Sequence, residues 1–272
     1  MEIENLTFGD GLILTTNGTP PLPVTDELRI ELTPESYDGY TVVWDNSADP
    51  TYAGFKGTLY GGPTFNSLTG FTFDSPSEYT LISPVQTGVN AFTSTAAYTI
   101  EVWFNPSNQI GQQQTTATIF TNYEESTPGG VPYWFQYSQQ NETINMNWLR
   151  DSGPPIETDF QIPNKPINTW YQAVCVYNFL LTSVTGTSAQ SASAYINGVK
   201  VEEQVGTCPY NTPALNPIRL TNPAIARVPG RDPNTMGAWF NGQIGIVRIY
   251  AKALTSAEVL QNFQANRNRF GI

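Results

Sequence analysis

The sequence predicts an all-β protein, a two-sheet antiparallel sandwich with one short C-terminal helix. Three observations predict it. Apolar and polar residues alternate with a period of two in one short segment after another, as half-buried strands require. The 272 residues carry 22 glycines and 21 prolines spread along the whole chain, so turns recur throughout. There is no alternation of strands with long helical segments, which sets parallel-sheet folds aside.

Residues 1–35 stand apart from the rest. They are proline-rich at Pro20, Pro21 and Pro23, carry a Gly9-Asp10-Gly11 turn, and read as an arm or added hairpin suited to docking. Residues 36–272 form the main domain. Its clearest strand covers residues 98–104, where Tyr98, Ile100, Val102 and Phe104 share one face and Thr99, Glu101 and Trp103 the other. Pro106 ends that strand, because proline cannot donate to a ladder. Strands follow around Ile119 and Phe120, over 131–137, over 144–148 and over 170–177. The last of these sets Val174 and Val176 opposite Cys175. Residues 183–192 are rich in Ser, Thr, Gly, Ala and Gln and read as an exposed loop. Asn197-Gly198 between two apolar runs is a hairpin signal, since a type I′ turn needs positive φ at both central positions. Residues 243–250 form the last strand. The helix opens on a capping box, with Thr255 and Glu258 each serving the other's backbone N–H. Val259, Leu260 and Phe263 give it an apolar stripe. It is expected over about 256–267, with Arg267 and Arg269 at its negative end and Gly271 past its end.

The bulk composition excludes several classes of function. Charged residues make up only 13% and aromatics 12%, a balance that argues against disorder. The net charge is -11, and an acidic, lysine-poor surface repels phosphate, so neither nucleic acid nor an anionic membrane is an expected partner. No segment reads as a targeting signal, and none is long and apolar enough to insert in a membrane. Cys175 and Cys208 do not make a disulfide framework and are expected as reduced thiols.

Chemistry is constrained as strongly. Histidine is absent, which removes Ser-His-Asp and Cys-His mechanisms and histidine-based metal sites. A retaining glycosidase needs two carboxylates about 5–5.5 Å apart. Acids at i and i+2 of one strand would supply them, but Glu101 stands alone in its strand and Glu124-Glu125 are adjacent in a loop. No catalytic residue is expected, and the chain reads as a non-enzyme. No cofactor is expected either, with calcium as the one alternative. Asp45 and Asp49, with Asn46 and Ser47 between them, offer oxygen ligands, but calcium takes six to eight, and the competing reading is a turn that caps its own backbone. Sugar binding suits the composition best. Asn122, Tyr123, Glu124, Tyr133, Trp134, Trp148 and Arg150 combine ring faces with hydrogen-bonding groups and are the candidate ligand-binding residues. Tyr133, Trp134 and Trp148 lie on expected strands, where aromatics more often fill a core. Trp103, Trp170 and Trp239 are expected in the core or on half-buried strand faces.

Several segments, in order, resemble laminin-G-like domains of the concanavalin A-like class. They are Trp44-Asp45-Asn46-Ser47, residues 57–65, residues 71–74, residues 98–104, Asn168-Thr169-Trp170-Tyr171, Tyr195-Ile196-Asn197-Gly198-Val199 and residues 240–255. The resemblance implies a jelly roll with the helix packed beside it. Residues 259–272 and residues 3–14 are similar to the ends of such domains in marine phage virion proteins. That implies a structural or decoration protein on a virion surface, made in the host cytoplasm. Its expected partners are other virion proteins or further copies of itself as a homo-oligomer, with a cell-surface glycan as a further partner. A stand-alone carbohydrate-binding module and a glycoside hydrolase are the alternatives. The sequence departs from the family where Gln172 replaces a histidine and where Gly245 and Ile246 replace acids that help some members bind calcium.

Overall fold

The computed structural model describes residues 5–7, 13–15, 20–48, 50–52, 54–84, 97–108, 116–121, 133–148, 158–178, 188–208, 223–227 and 239–272. Their strands form a sandwich of two antiparallel sheets, as the alternating patterns predict. Across the first sheet the order is β16 (Val199–Cys208), β15 (Ser188–Ile196), β14 (Tyr171–Asn178), β9 (Ala97–Pro106), β18 (Gly242–Tyr250), β7 (Gly70–Phe73) and β6 (Thr64–Asn66). Beside the second half of β18 runs β3 (Leu28–Leu32). The second sheet runs β13 (Thr158–Ile162), β12 (Thr143–Trp148), β11 (Tyr133–Ser138), β10 (Thr116–Thr121), β17 (Ala224–Ile225), β8 (Tyr79–Pro84), β5 (Phe55–Tyr60) and β4 (Val43–Trp44). A separate hairpin pairs β1 (Asn5–Thr7) with β2 (Ile13–Thr15).

The core between the sheets follows from strand parity. Tyr98, Ile100, Val102 and Phe104 of β9 face inward beside Cys175 and Tyr177 of β14. Phe135, Tyr137, Ile144, Met146 and Phe160 of the second sheet meet them from the other side. Cys175 is a buried free thiol, and burial pushes it up to about 12. The side chain of Cys208 lies outside the described residues.

The opposite parity of the first sheet is also buried, because helix α1 (Ser256–Phe270) lies across it. Trp103, Trp170 and Ile246 pack there against Phe263 and Phe270. Farther along, Val174, Val176, Tyr195 and Tyr250 pack against Val259, Leu254, Val24 and Leu28. The capping box forms as expected: Thr255 Oγ1 accepts from the Glu258 N–H (3.3 Å), and Glu258 Oε2 accepts from the Thr255 N–H (2.8 Å). Gly271 ends the helix in the left-handed conformation at φ 70°. The helix runs three residues beyond the expected 267. Phe270 explains this, since its ring lies 4.8 Å from Trp103 and 4.3 Å from Trp170 and so holds the last turn down.

Two further differences from the sequence reading have physical causes. Residues 188–192, expected in a loop, belong to β15: all five pair with β16, and Ser191 and Ala192 pair with β14 as well. Their small side chains weaken the apolar signal, although Ala192 is buried in the core. Within residues 1–35, β3 is a strand of the sandwich, because Ile30 and Leu32 fill core positions next to β18.

The Asn197-Gly198 turn has φ 51° and 78°, as its residue types require. Gly70 is more demanding. It sits at φ 92°, and a Cβ there would lie 2.4 Å from the carbonyl oxygen of Ile244. Gly70→Ala is therefore expected to destabilise the protein by more than about 1 kcal/mol. Urea unfolding checks this, and an unchanged midpoint would mean that β7 can shift away from β18.

Candidate functional site

The strand register brings the backbone positions of three of the seven candidate ligand-binding residues, Tyr133, Trp134 and Trp148, together at one end of neighbouring strands. Thr121, the last residue of β10, stands opposite Trp134 of β11. Tyr133 stands opposite Trp148, and Trp134 opposite Asn147. Asn122, Tyr123 and Glu124 continue directly from β10, and Arg150 follows β12 by two residues. These four lie outside the described residues, and for Tyr133, Trp134 and Trp148 only the backbone position is described. Positions 133 and 148 are in phase with the core residues Phe135 and Met146, whereas position 134 is in phase with Gln136 on the other face.

The same rim carries the loop proposed for calcium. β4 leads into it opposite the start of β5; β5 starts opposite the end of β8, and β17 joins β8 to β10. Asp45 is paired with Lys56 at 2.8 Å. Asn46 Oδ1 accepts from the N–H groups of Glu31 (2.7 Å) and Ala48 (3.1 Å), and its Nδ2 donates to the Arg29 carbonyl (3.0 Å). Ser47 Oγ donates to the Glu31 carboxylate (2.8 Å). These side chains stitch the loop to β3, in the manner of an Asx-type turn. Asp49 lies outside the described residues. Among the described residues no group of three or more His, Cys, Asp or Glu side chains gathers to hold a metal ion.

A second polar cluster, missed in the sequence, is buried beneath α1. Arg248 stands opposite Glu101 on one side and Glu31 on the other. Its Nε donates to Glu31 (2.8 Å) and its Nη1 to Glu101 (3.3 Å). Glu101 Oε1 also accepts from Trp103 Nε1 (2.7 Å) and Gln172 Nε2 (2.9 Å), and its Oε2 accepts from Asn262 Nδ2 (2.7 Å). Gln172, where the resembled family has histidine, passes the network to the hairpin turn by accepting from the Gly198 N–H (2.9 Å). Asn262 passes it to the N-terminal segment by accepting from the Val24 N–H (2.8 Å). Burial, then the neighbouring Glu101 charge, push the Tyr250 phenol far above its ordinary value. It remains a hydroxyl that donates to the Val24 carbonyl (3.1 Å) and accepts from Asn262 (2.9 Å). With every oxygen of Glu101 engaged and Glu31 tied to the same guanidinium, neither carboxylate is free to act as an acid or nucleophile. The sequence did hold a signal for this cluster: one acid and one base, each in the middle of an apolar strand, Glu101 and Arg248.

The far end of the second sheet is aromatic. Tyr60 and Tyr79 stack with ring centroids 4.6 Å apart, and the Arg227 guanidinium lies 5.6 Å over the Tyr79 ring. Nearby, burial pushes the Glu78 carboxyl up, against the N–H groups of Asp74 (2.7 Å) and Ser75 (3.3 Å) that its Oε2 accepts from. Glu78 thus closes the turn between β7 and β8.

Sandwich architecture, jelly-roll strand order and helix together define a lectin-like β-sandwich. The family model described as Laminin_G_3, concanavalin A-like lectin/glucanases superfamily, matches residues 82–260, and the chain belongs to that family. No curated protein matches the sequence. Among solved structures, the binding domain of botulinum neurotoxin serotype D is similar, with a TM-score of 0.60 at 12% identity over 89% of this chain and 52% of that one. The Trypanosoma rangeli sialidase solved with 2,3-difluorosialic acid has a TM-score of 0.57 at 12% identity over 90% and 34%. Domain 4 of AbnA, an extracellular GH43 arabinanase from Geobacillus stearothermophilus solved with arabinotriose, has a TM-score of 0.53 at 18% identity over 88% and 99%. The chain thus spans about half the toxin domain and a third of the sialidase, but nearly all of the arabinanase domain. At these identities the likeness is one of fold. No helix among the described residues is long and apolar enough to cross a membrane.

Proposed function

We propose that the chain is a non-catalytic adhesion module that holds a glycan at the rim formed by the ends of β10, β11 and β12. We place it as a structural or decoration protein on a virion surface. The observation that supports this is the register that sets the backbone of Trp134 beside Thr121 and of Tyr133 beside Trp148, with Asn122, Tyr123 and Glu124 following β10 in the sequence and Arg150 following β12. Rings supply flat apolar faces for sugars, and Asn, Glu and Arg supply the hydrogen bonds that orient them. The family description and the arabinanase domain solved with arabinotriose support carbohydrate as the ligand class. The resemblance of residues 259–272 to phage virion proteins supports the setting, with self-association or another virion protein as the partner.

Binding on a glycan array tests the first part. Saturable binding is expected, with at least about a tenfold loss in Tyr123→Ala, the cost of one missing contact of about 1.4 kcal/mol. Undiminished binding in Tyr123→Ala would move the site elsewhere, and release of reducing ends from the bound glycan would overturn the non-catalytic reading. For the setting, light scattering is expected to give a closed oligomer. A monomer that sediments with no virion particle would overturn it.

A further inference from the structure

On the other side of the first sheet from the core, beside the buried Arg248 cluster, lies a cleft of about 350 Å³. Pro20, Pro21, Leu22 and Pro23 line it as a strap, together with residues of β3, β18 and α1. Two attachments hold this strap to the helix: Gln261 Nε2 donates to the Leu22 carbonyl (2.8 Å), and Asn262 Oδ1 accepts from the Val24 N–H (2.8 Å). The prolines and Ala265 give the cleft an apolar wall, and Arg248, Asn266 and Glu31 give it a polar floor.

That floor is built from buried groups with unused capacity. Arg248 is 2% exposed, and its Nη2 takes no partner among the described residues once Nε and Nη1 are engaged. Asn266 is 8% exposed; its Nδ2 donates to the Asn262 carbonyl (2.9 Å), and its Oδ1 accepts from no described residue. Directional donor and acceptor capacity therefore faces a ligand-sized space, at the small end of the 300–1,000 Å³ of ordinary ligand pockets.

The charges of the lining decide the ligand class. Arg248 is paired with Glu31 at 2.8 Å, and Arg269 with Glu35 across the mouth. Burial works against the charge of Glu35, but the hydrogen bond and charge of Arg269 outweigh it and hold its carboxyl below the ordinary range. The lining itself is formally neutral, with two cations and two anions, and the Glu101 carboxylate behind Arg248 does not line the cleft and is already held by four donors. An anionic or cationic ligand would add an unbalanced charge to a partly desolvated site. A neutral polyhydroxyl ligand would meet both donors and acceptors without breaking an ion pair, and its C–H face would lie on the proline wall.

We propose that this cleft is a second saccharide site, separate from the strand-end rim, that takes one or two neutral sugar units. It stands on the cleft alone and does not require the rim to bind glycan. The test is calorimetric titration of the full chain with glucose, galactose, xylose and arabinose, and with glucuronate and glucosamine as charged counterparts. Ala265→Phe places a ring in the cleft and leaves the buried network untouched. At least one neutral sugar is expected to bind saturably, more than tenfold better than the charged pair. That binding should fall at least tenfold in Ala265→Phe and persist in Tyr123→Ala. If Ala265→Phe does not fold, side-chain NMR of the wild-type chain locates the site instead, through shifts at the Arg248 guanidinium and the Asn266 amide. No binding of any neutral sugar, preference for a charged one, binding that survives Ala265→Phe, or shifts confined to β10–β12 would each overturn the proposal. Loss of array binding in Tyr123→Ala alone would bear on the rim and not on the cleft.

Discussion

Arg248→Met is expected to destabilise the protein by about 3–5 kcal/mol, the cost of leaving a buried charge without its partner. Methionine keeps much of the arginine stem's volume, so lost packing contributes little. What remains is the Glu101 carboxylate, fully buried, and Glu31 beside it, with no cation between them. Glu101→Gln in the same background should recover part of the loss by removing that charge. Recovery is incomplete because the new amide NH2 would face the Asn262 amide, itself a donor to Glu101. The two substitutions should depart from additivity by more than about 0.5 kcal/mol, since they act in one network. Urea unfolding of the four proteins measures this. An Arg248→Met protein within about 1 kcal/mol of wild type would mean that the carboxylates take up protons or water at little cost.

Trp103→Ala is the second large effect, expected at about 3–5 kcal/mol. The indole is fully buried outside the sandwich core, stacked 4.8 Å from Phe270 and 5.9 Å from Phe263. It also donates to Glu101. Its removal leaves a cavity directly under α1, so the loss should be local before it is global. Hydrogen exchange is the discriminating readout: amides of α1 should exchange faster by a larger factor than those of β14. Equal acceleration in both would mean that helix and sheet unfold as one unit, and that the helix has no separate opening.

Much of this architecture was legible from period-two patterns and turn chemistry. Residues 98–104 declared both faces, because both are buried against different partners and the polar exceptions sit on the helix side. Thr255, Glu258 and Gly271 declared the helix ends through local hydrogen bonding, which needs no tertiary context. β15 was not legible at 188–192, whose small residues carry no apolar signature. β3 was not legible as sandwich, since its partner β18 lies more than two hundred residues later in the chain. The rim residues were chosen by type; the register sets the backbone positions 133, 134 and 148 side by side, and the other four lie outside the described residues. The buried cluster escaped because it takes single polar residues from β3, β9, β14, β18 and α1, each an isolated exception in its own segment.

The central position of β18 bears on the order in which the molecule can be made. Its first residues pair with β7, its later ones with β3, and its whole length with β9. A chain leaving the ribosome thus presents all three earlier strands before the one that joins them exists. Leu32 and Phe73 await partners in a strand that is still to be synthesised. Unpaired strands of this kind invite pairing with other chains. Completion of the first sheet is therefore a late event in biosynthesis, and the C-terminal helix that seals its outer face can dock only after it.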